Sequence, residues 1–272
     1  MPYVWAPLVP GDADEIAHRV AAVLEDAWQR LADQQRTIIA QFADSPRAPR
    51  TVATLEEFKQ AIHAFRQRVD QEAEQFVRRQ LPHLYAAGAQ TAADALGVTF
   101  TWTTFHRDAL QSLAADSYAD FLRRSQETER MANKFYRAVR EAARREVPLL
   151  AAGNMTARQA AKNLSDTLST DHQLTHVVYR NGARVPVRVW ADAAVLAKSA
   201  VAYNAGTLNR TRQAGVSMVE VFDGFDCGWT SHRDPDKATG TVRTIEEAAE
   251  WPISHPRCRR GFGPRPDIAE AV

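Results

Sequence analysis

Apolar residues recur at helical spacing through the first two-thirds of the chain, and this periodicity constrains the fold more than any other feature of the sequence. From Asp12 to about Phe42 they stand three, four or seven positions apart, which places them on one face of an α-helix. A second helix is predicted to begin with Thr54 as its N-cap and Glu57 three positions later, as in a capping box. The intervening residues 43–52 contain two prolines and are predicted to form a loop.

The helical pattern continues to about residue 147. Pro82 is expected to kink or divide the second helix, because a proline removes a backbone hydrogen bond and clashes with the preceding turn. A long helix is predicted to start at Thr103 or Thr104 and to end near Val147. A short helix over residues 156–168 completes the helical region.

The pattern changes in the last third of the chain. The run Thr175–Trp190, THVVYRNGARVPVRVW, is rich in valine and has Asn181-Gly182 at its centre, which predicts a β-hairpin. A helix is predicted from about Asp192 to Arg212, followed by a strand over Met218–Phe222. A further short helix is predicted to be capped by the run Thr244–Glu247.

These elements predict an α+β fold that is mainly α. A long-helix region over residues 1–172 is expected to serve assembly and partner binding. A small α+β unit over residues 173–272 is expected to carry the hairpin and a possible zinc knuckle. With 45% hydrophobic residues, the 272-residue chain can form a packed core.

Charge and hydropathy exclude several classes of protein. Lys and Arg total 34 against 33 Asp and Glu, so the chain is not uniformly basic as a nucleic-acid wrapper would be. No apolar run approaches the roughly 18 residues that a membrane span needs. The start, residues 1–11, lacks the basic and apolar regions of a secretory signal. Two cysteines are too few for a disulfide framework.

The two cysteines stand near two histidines, at Cys227, His232, His255 and Cys258. The spacing C-x4-H-x22-H-x2-C supplies four sulfur and nitrogen ligands as two short pairs, which suits a tetrahedral zinc ion. The sequence therefore predicts a structural zinc site. The alternatives are unrelated thiols and loop histidines, a catalytic zinc, a disulfide between the cysteines, and a cysteine nucleophile paired with His255. Asp234 and Asp236, between the pairs, are more simply part of a turn than of a calcium loop.

Two basic stretches are candidates for contact with nucleic acid or a partner. The first is the C-terminal arginine segment, residues 257–265, which contains Arg257, Arg259, Arg260 and Arg265. The second lies on the third long helix between Arg123 and Arg145, where glutamates partly offset the charge. Either stretch is a solvated surface or a contact with DNA phosphates.

Four strings in the last third of the chain resemble a known family when they are taken together and in order. They are YRNGARVPV from Tyr179, AYNAGTL from Ala202, VEVFDGFDCGWTSHRDPDKA from Val219 and PISHPRCRRGFGPRPD from Pro252. The set resembles the C-terminal region of tailed-phage minor capsid proteins, the Mu F-like head morphogenesis family, in the form seen in phages of actinobacteria. The resemblance covers about residues 175–267, whereas the helical region matches only in general character.

The resemblance implies a non-enzymatic virion protein that is made in the host bacterial cytoplasm. It would lie inside the capsid near the portal vertex in several copies and act in head assembly, with possible roles in DNA packaging or ejection. The implied partners are the portal protein, the major capsid protein and packaged DNA. Many relatives have C-x2-C where this chain has Cys227 and His232, which leaves metal binding in this subgroup open.

An enzyme is the second hypothesis from the sequence. A metal-dependent nuclease would use His255 as general base or ligand, and Asp226, Asp234 or Asp236 would complete the ligand set. A DNA-binding module that uses the C-terminal arginine segment is the third.

Overall fold

The structure is a computed structural model of the chain. It describes residues 11–44, 48–151, 174–179, 181–223, 239–255 and 257–268, together with the single positions 153, 156, 159 and 162. The described residues are mainly helical and include a few strands in small antiparallel sheets, which confirms the predicted α+β, mainly α class.

Four long helices dominate the first part of the chain. A π-helical turn, Phe76–Gln80, separates the second from the third, and Pro82 stands in the first turn of the third helix. The predicted division of that helix is therefore confirmed as a change of helix type, since the backbone at Gln80 and Leu81 stays right-handed helical and the π-helical turn lies directly before the proline. The helices are α1 (Gly11–Asp44), α2 (Ala48–Gln75), α3 (Leu81–Ala95) and α4 (Thr104–Ala151).

The remaining elements form two small sheets and two further helices. Strands β1 (His176–Val178) and β2 (Arg184–Pro186) pair as the predicted antiparallel hairpin. A three-stranded antiparallel sheet has the order β4-β3-β5, so its central strand is β3. The other elements are α5 (Val187–Gln213), β3 (Met218–Phe222), β4 (Val242–Thr244), α6 (Ile245–Glu250) and β5 (Gly261–Pro264).

The chain divides into two compact units that are each assembled from separate stretches. Unit 1 comprises the described residues of Met1–Ala21, Glu74–Ala119 and Ala191–Val272. Unit 2 comprises those of Ala22–Ala73 and Asp120–Trp190. The predicted division of function near residue 172 stays a prediction.

Aromatic side chains form the core of unit 2. Trp28 is 1% exposed, and its ring packs edge-on against Phe65 at a centroid distance of 4.5 Å. The ring centroid of Trp190 lies 5.9 Å from that of Trp28 and 6.3 Å from that of Phe121. The indole N–H of Trp28 donates to the Thr128 hydroxyl at 3.1 Å, so this buried donor is satisfied. The core therefore joins residues of α1, α2, α4 and the first turn of α5.

Two glycines let α3 and α5 cross at very short range in unit 1. A Cβ added at Gly88 would lie 1.9 Å from the Tyr203 carbonyl oxygen, and one added at Gly206 would lie 2.0 Å from the Tyr85 carbonyl oxygen. The Thr207 hydroxyl bridges the crossing by donating to the Gly88 carbonyl at 3.1 Å. No other residue type fits at this backbone distance.

The β4-β3-β5 sheet packs its inner face on α5 and α6. Val219, Val221 and Phe262 on the strands form one apolar cluster with Leu208 of α5 and Ile245 of α6. The capping box predicted at the start of α6 is confirmed, because the Thr244 hydroxyl accepts from the Glu247 N–H and the Glu247 carboxylate accepts from the Thr244 N–H. This short helix is thereby held at its N-terminus.

Two predicted helix starts are wrong. Helix α2 begins six residues before Thr54, since Pro49 stands in its first turn, where proline is tolerated. The Thr54 hydroxyl instead donates to the Gln41 side chain at 2.5 Å. Helix α5 begins at Val187 rather than near Asp192, because the buried Val187 and Trp190 follow a helical rather than an alternating pattern.

The structure also allows comparison with the predicted end of α4 and with the short helix predicted after it. Helix α4 continues to Ala151, past the end predicted near Val147 and through Pro148. Most of the short helix predicted over residues 156–168 lies outside the described residues. None of the helices that the structure describes combines the length and the apolar character of a membrane span.

The glycine crossing yields a first prediction. Replacing Gly88 by alanine should lower the free energy of unfolding by more than about 3 kcal/mol, because its methyl group would overlap backbone rather than a movable side chain. Urea unfolding followed by circular dichroism measures this. The control is Gly97→Ala, where φ is +65° and the surrounding space is open, so the cost should be about 1 kcal/mol. Equal losses in the two variants would contradict the close crossing.

Candidate functional site

Half of the predicted zinc ligands fall within the described residues. His255 and Cys258 are described, whereas Cys227 and His232 lie outside the described residues. The carboxylates considered for a nuclease site, Asp226, Asp234 and Asp236, also lie outside them.

His255 and Cys258 form the two ends of a tight turn. The Cys258 N–H donates to the His255 carbonyl at 3.1 Å, which closes a four-residue turn. Arg257, the third residue of the turn, has φ = 64°, a left-handed conformation that is uncommon outside glycine and asparagine. His255 and Cys258 are 8% and 3% exposed, and Cys258 carries a free thiol.

These two residues suit half of a zinc site. An imidazole and a thiol with two residues between them on a tight turn are the ligand types and spacing that structural zinc uses. In the part of the chain that the structure describes, no three histidine, cysteine or acidic side chains are grouped closely enough to hold a metal. Because Cys227 and His232 are outside that part, the zinc prediction stays a prediction.

Arg260, in the C-terminal arginine segment, is completely buried. Its Nε donates to Asp223 Oδ1 at 2.6 Å, and the two side chains are 0% and 2% exposed. Its Nη1 donates to the Trp251 carbonyl at 3.2 Å. The Arg260 carbonyl accepts from the Asn204 side-chain amide at 2.8 Å, and the same amide donates to the Pro252 carbonyl. One buried arginine thus joins the end of β3, the middle of α5 and the C-terminal segment.

The other three arginines of the segment pair with carboxylates of unit 1. Arg257 contacts Asp192 of α5 at 2.6 Å. Arg259 contacts Asp14 of α1 at 2.7 Å. Arg265 contacts Glu220 of β3 at 2.9 Å and Asp267 at 2.7 Å. The hydrogen bond between the Arg265 and Asp267 side chains is the main cause that raises the pKa of Arg265 and lowers the pKa of Asp267.

All four arginines are therefore engaged by acids of the same unit. Arg257 and Arg259 remain partly exposed, whereas Arg260 has no exposed surface from which to contact a phosphate. Binding of nucleic acid or a partner by this segment stays a prediction. What the geometry establishes is a structural use of the segment: it holds the chain end against α1, α5 and β3.

Sequence reasoning missed the partners of these arginines. Asp14, Asp192, Glu220 and Asp223 are scattered over more than 200 positions, so no local pattern connects them to the arginines. Asn204 left a weak signal, since it lies on the core face of α5 among small and apolar residues. A polar residue on a buried helix face indicates a required hydrogen bond, although not its partner.

A second buried polar cluster in unit 1 surrounds His106. Its Nδ1 lies 2.8 Å from the Tyr85 hydroxyl and its Nε2 lies 3.0 Å from Gln213 Oε1. Gln213 Oε1 only accepts, so Nε2 carries the ring proton. In the neutral ring Nδ1 then accepts from the Tyr85 hydroxyl, whose oxygen accepts from Asn209. Burial is the main cause that lowers the pKa of His106 and raises the pKa of Tyr85 to about 12. With both ring nitrogens occupied, this cluster is a structural support.

No family model, curated protein or solved structure matches this chain.

The buried ion pair yields a second prediction. Arg260→Met should lower the free energy of unfolding by about 3–5 kcal/mol, because it leaves the Asp223 carboxylate buried without its cation. Adding Asp223→Leu should recover part of that loss, since no uncompensated charge remains. Urea unfolding of the wild type, both single variants and the double variant measures the coupling. Arg259→Ala, at a partly exposed pair, is the control and should cost about 1 kcal/mol or less.

The zinc hypothesis yields a third prediction. Elemental analysis of the purified protein should find about one zinc per chain, and Cys258→Ala should lose it. Because metal binding is coupled to folding, a chelator should also lower the melting temperature of the wild type. A metal-free wild type whose melting is unchanged by zinc or chelator would contradict the site.

Proposed function

We propose that this chain is a structural, non-enzymatic protein of a tailed-phage particle, a minor capsid protein of the Mu F-like head morphogenesis type. The proposal starts from the ordered strings at residues 179–187, 202–208, 219–238 and 252–267. Its role would be in assembly of the head, with a possible part in DNA packaging or ejection.

The observation that carries the proposal is the contact among three of these strings. Asn204, Asp223 and Arg260 each come from a different string, and hydrogen bonds join them in the buried interior of unit 1. These three strings therefore form one structural motif within unit 1, which supports treating their resemblance as a resemblance of fold.

The use of the motif residues favours a structural role over catalysis. Arg260 neutralises a buried carboxylate, and β5, which follows it, is buried along its whole length. The Gly206 position in the second string serves the close crossing with α3. Catalytic groups must reach a substrate, whereas Arg260 and Gly206 are occupied by contacts within the protein. The nuclease candidates Asp226, Asp234 and Asp236 lie outside the described residues.

The long helices provide surface for the proposed partners. Helix α4 has 48 residues, and at about 1.5 Å per residue it extends roughly 70 Å. Extended helices of this kind offer long faces to neighbouring subunits. The proposed partners are the portal protein, the major capsid protein and packaged DNA, with several copies located inside the capsid near the portal after synthesis in the host cytoplasm.

The fourth prediction concerns the particle itself. Mass spectrometry of purified virions of the encoding phage should find the protein at a few copies per portal, and protease should reach it only after the head is opened. A reconstruction of the intact particle should place its density inside the portal vertex. Absence from purified virions, or a location on the outer surface, would contradict the proposal.

A matched pair of variants connects this test to the structure. Arg260→Met should reduce incorporation into particles because it disrupts the motif, whereas Arg259→Ala should be incorporated normally. The nuclease alternative is examined separately by incubating the purified protein with supercoiled plasmid and Mg²⁺, Mn²⁺ or Zn²⁺. Nicking that depends on His255 would replace the structural proposal by an enzymatic one.

A further inference from the structure

A basic cavity lies in unit 2, far along the chain from the C-terminal arginine segment. It has a volume of about 230 Å³ and is formed by one face of α4 and by strand β1. Arg124, Arg130 and Lys134 line it from α4, and His176 lines it from β1. Among the described residues that line it, Glu127 is the one acid.

The charges of this cavity do not balance. Glu127 accepts from Arg124 at 2.9 Å, and the Arg124 guanidinium also lies 5.2 Å from the centre of the Tyr179 ring. Within the described residues, no carboxylate pairs with Arg130 or Lys134, which are four positions apart and therefore neighbours on α4. Two like charges on adjacent helix positions repel each other, and an anion in the cavity would remove this repulsion.

His176 adds a hydrogen-bond group to the cavity. Its Nδ1 lies 2.9 Å from the Thr175 hydroxyl, so Nε2 is the ring nitrogen left for a ligand. A guanidinium, an ammonium and an imidazole together match the several oxygens of a phosphate group better than the two oxygens of a carboxylate.

The cavity belongs to a longer basic row. Arg123, Arg130, Arg137 and Arg144 recur every seven residues on α4 and are all exposed. Seven residues of α-helix rise about 10.5 Å, so the row extends for roughly 30 Å along one face. Glu141 offsets one charge of the row, and an excess of positive charge remains. A row of this length complements an extended polyanion, whereas a single small anion would occupy only the cavity.

From this arrangement we infer that the α4 face of unit 2 binds the phosphate backbone of nucleic acid, with one phosphate held in the cavity by Arg130, Lys134 and His176. The contact is sequence-independent, since it involves phosphates and no base edges. It does not depend on the proposed virion role, because it concerns the purified protein and DNA alone.

The fifth prediction tests this inference by fluorescence anisotropy with a labelled 20-base-pair duplex at NaCl concentrations from about 50 to 200 mM. The wild type should bind with an affinity that falls steeply with salt. Arg130→Ala with Lys134→Ala should reduce the slope of log affinity against log salt by about two, one for each lost phosphate contact. Both residues are exposed, so the double variant should melt like the wild type.

One charge-matched control separates a specific site from general electrostatic attraction. Arg68→Ala with Arg79→Ala removes the same charge from exposed positions outside the cavity and should leave the slope unchanged. An unchanged slope in the α4 double variant, or an equal loss in the control, would overturn the inference.

A second arm replaces part of the chloride by inorganic phosphate at constant ionic strength. Phosphate is expected to displace no more DNA than chloride does, because the row and the cavity bind the polymer together. Titration with inorganic phosphate alone completes this arm: low millimolar binding that the α4 double variant loses, together with no salt-dependent binding of the duplex by the wild type, would make the cavity a site for free phosphate and overturn the assignment to nucleic acid.

Discussion

The arrangement of unit 1 depends on one buried ion pair, between Arg260 and Asp223. A charge in the interior is tolerated only when an opposite charge and hydrogen bonds compensate its lost hydration. Asp223 provides the negative charge, and the Trp251 carbonyl accepts a further hydrogen bond from the Arg260 guanidinium. The pair therefore determines where the segment after α6 must lie, and it directs β5 to the edge of β3, where Phe262 enters the apolar cluster. The exposed pairs of Arg257 and Arg259 add smaller contributions along the same segment.

A second constraint, the crossing of α3 and α5, positions the helix that Arg260 contacts. The backbones approach so closely at Gly88 and Gly206 that the Thr207 hydroxyl hydrogen-bonds directly to a carbonyl of α3. Asn204 stands one turn earlier on α5 and reaches the C-terminal segment. Hydrogen bonds and the buried ion pair thus connect α3, α5 and the sheet in unit 1. Three of the strings behind the proposed assembly role meet in these contacts, whereas the inferred nucleic-acid contact rests on the exposed basic row of α4 in unit 2.

Local patterns predicted most of the elements, and tertiary contacts account for what they missed. The hairpin at Asn181-Gly182, the strand at Met218–Phe222 and the cap at Thr244 are confirmed, because each is set by residues close in sequence. The sequence predicts a later start of α5 than the structure shows, since Val187 and Trp190 fit a strand by propensity and a helix by burial.

The candidate site was harder to predict than the fold. The types and spacing of His255 and Cys258 predict zinc ligands, and the structure shows that the two residues share a turn. The zinc site itself stays a prediction. The four arginines were recognised as a cluster, but their acidic partners come from distant stretches, so their structural use is visible only in three dimensions. The unbalanced charge around Arg130 was likewise hidden, because the sequence does not reveal that Glu127 is already paired with Arg124.

The most direct measurement of the central claim is native-state hydrogen exchange of the β5 amides in increasing urea. If the buried pair holds the C-terminal segment as an integral part of unit 1, those amides should exchange only through an opening that exposes large surface. Their exchange free energy should then fall with urea as steeply as that of the buried residues of α5. Exchange of β5 that is fast and independent of urea, while α5 stays protected, would mean that the segment detaches locally and would contradict the account.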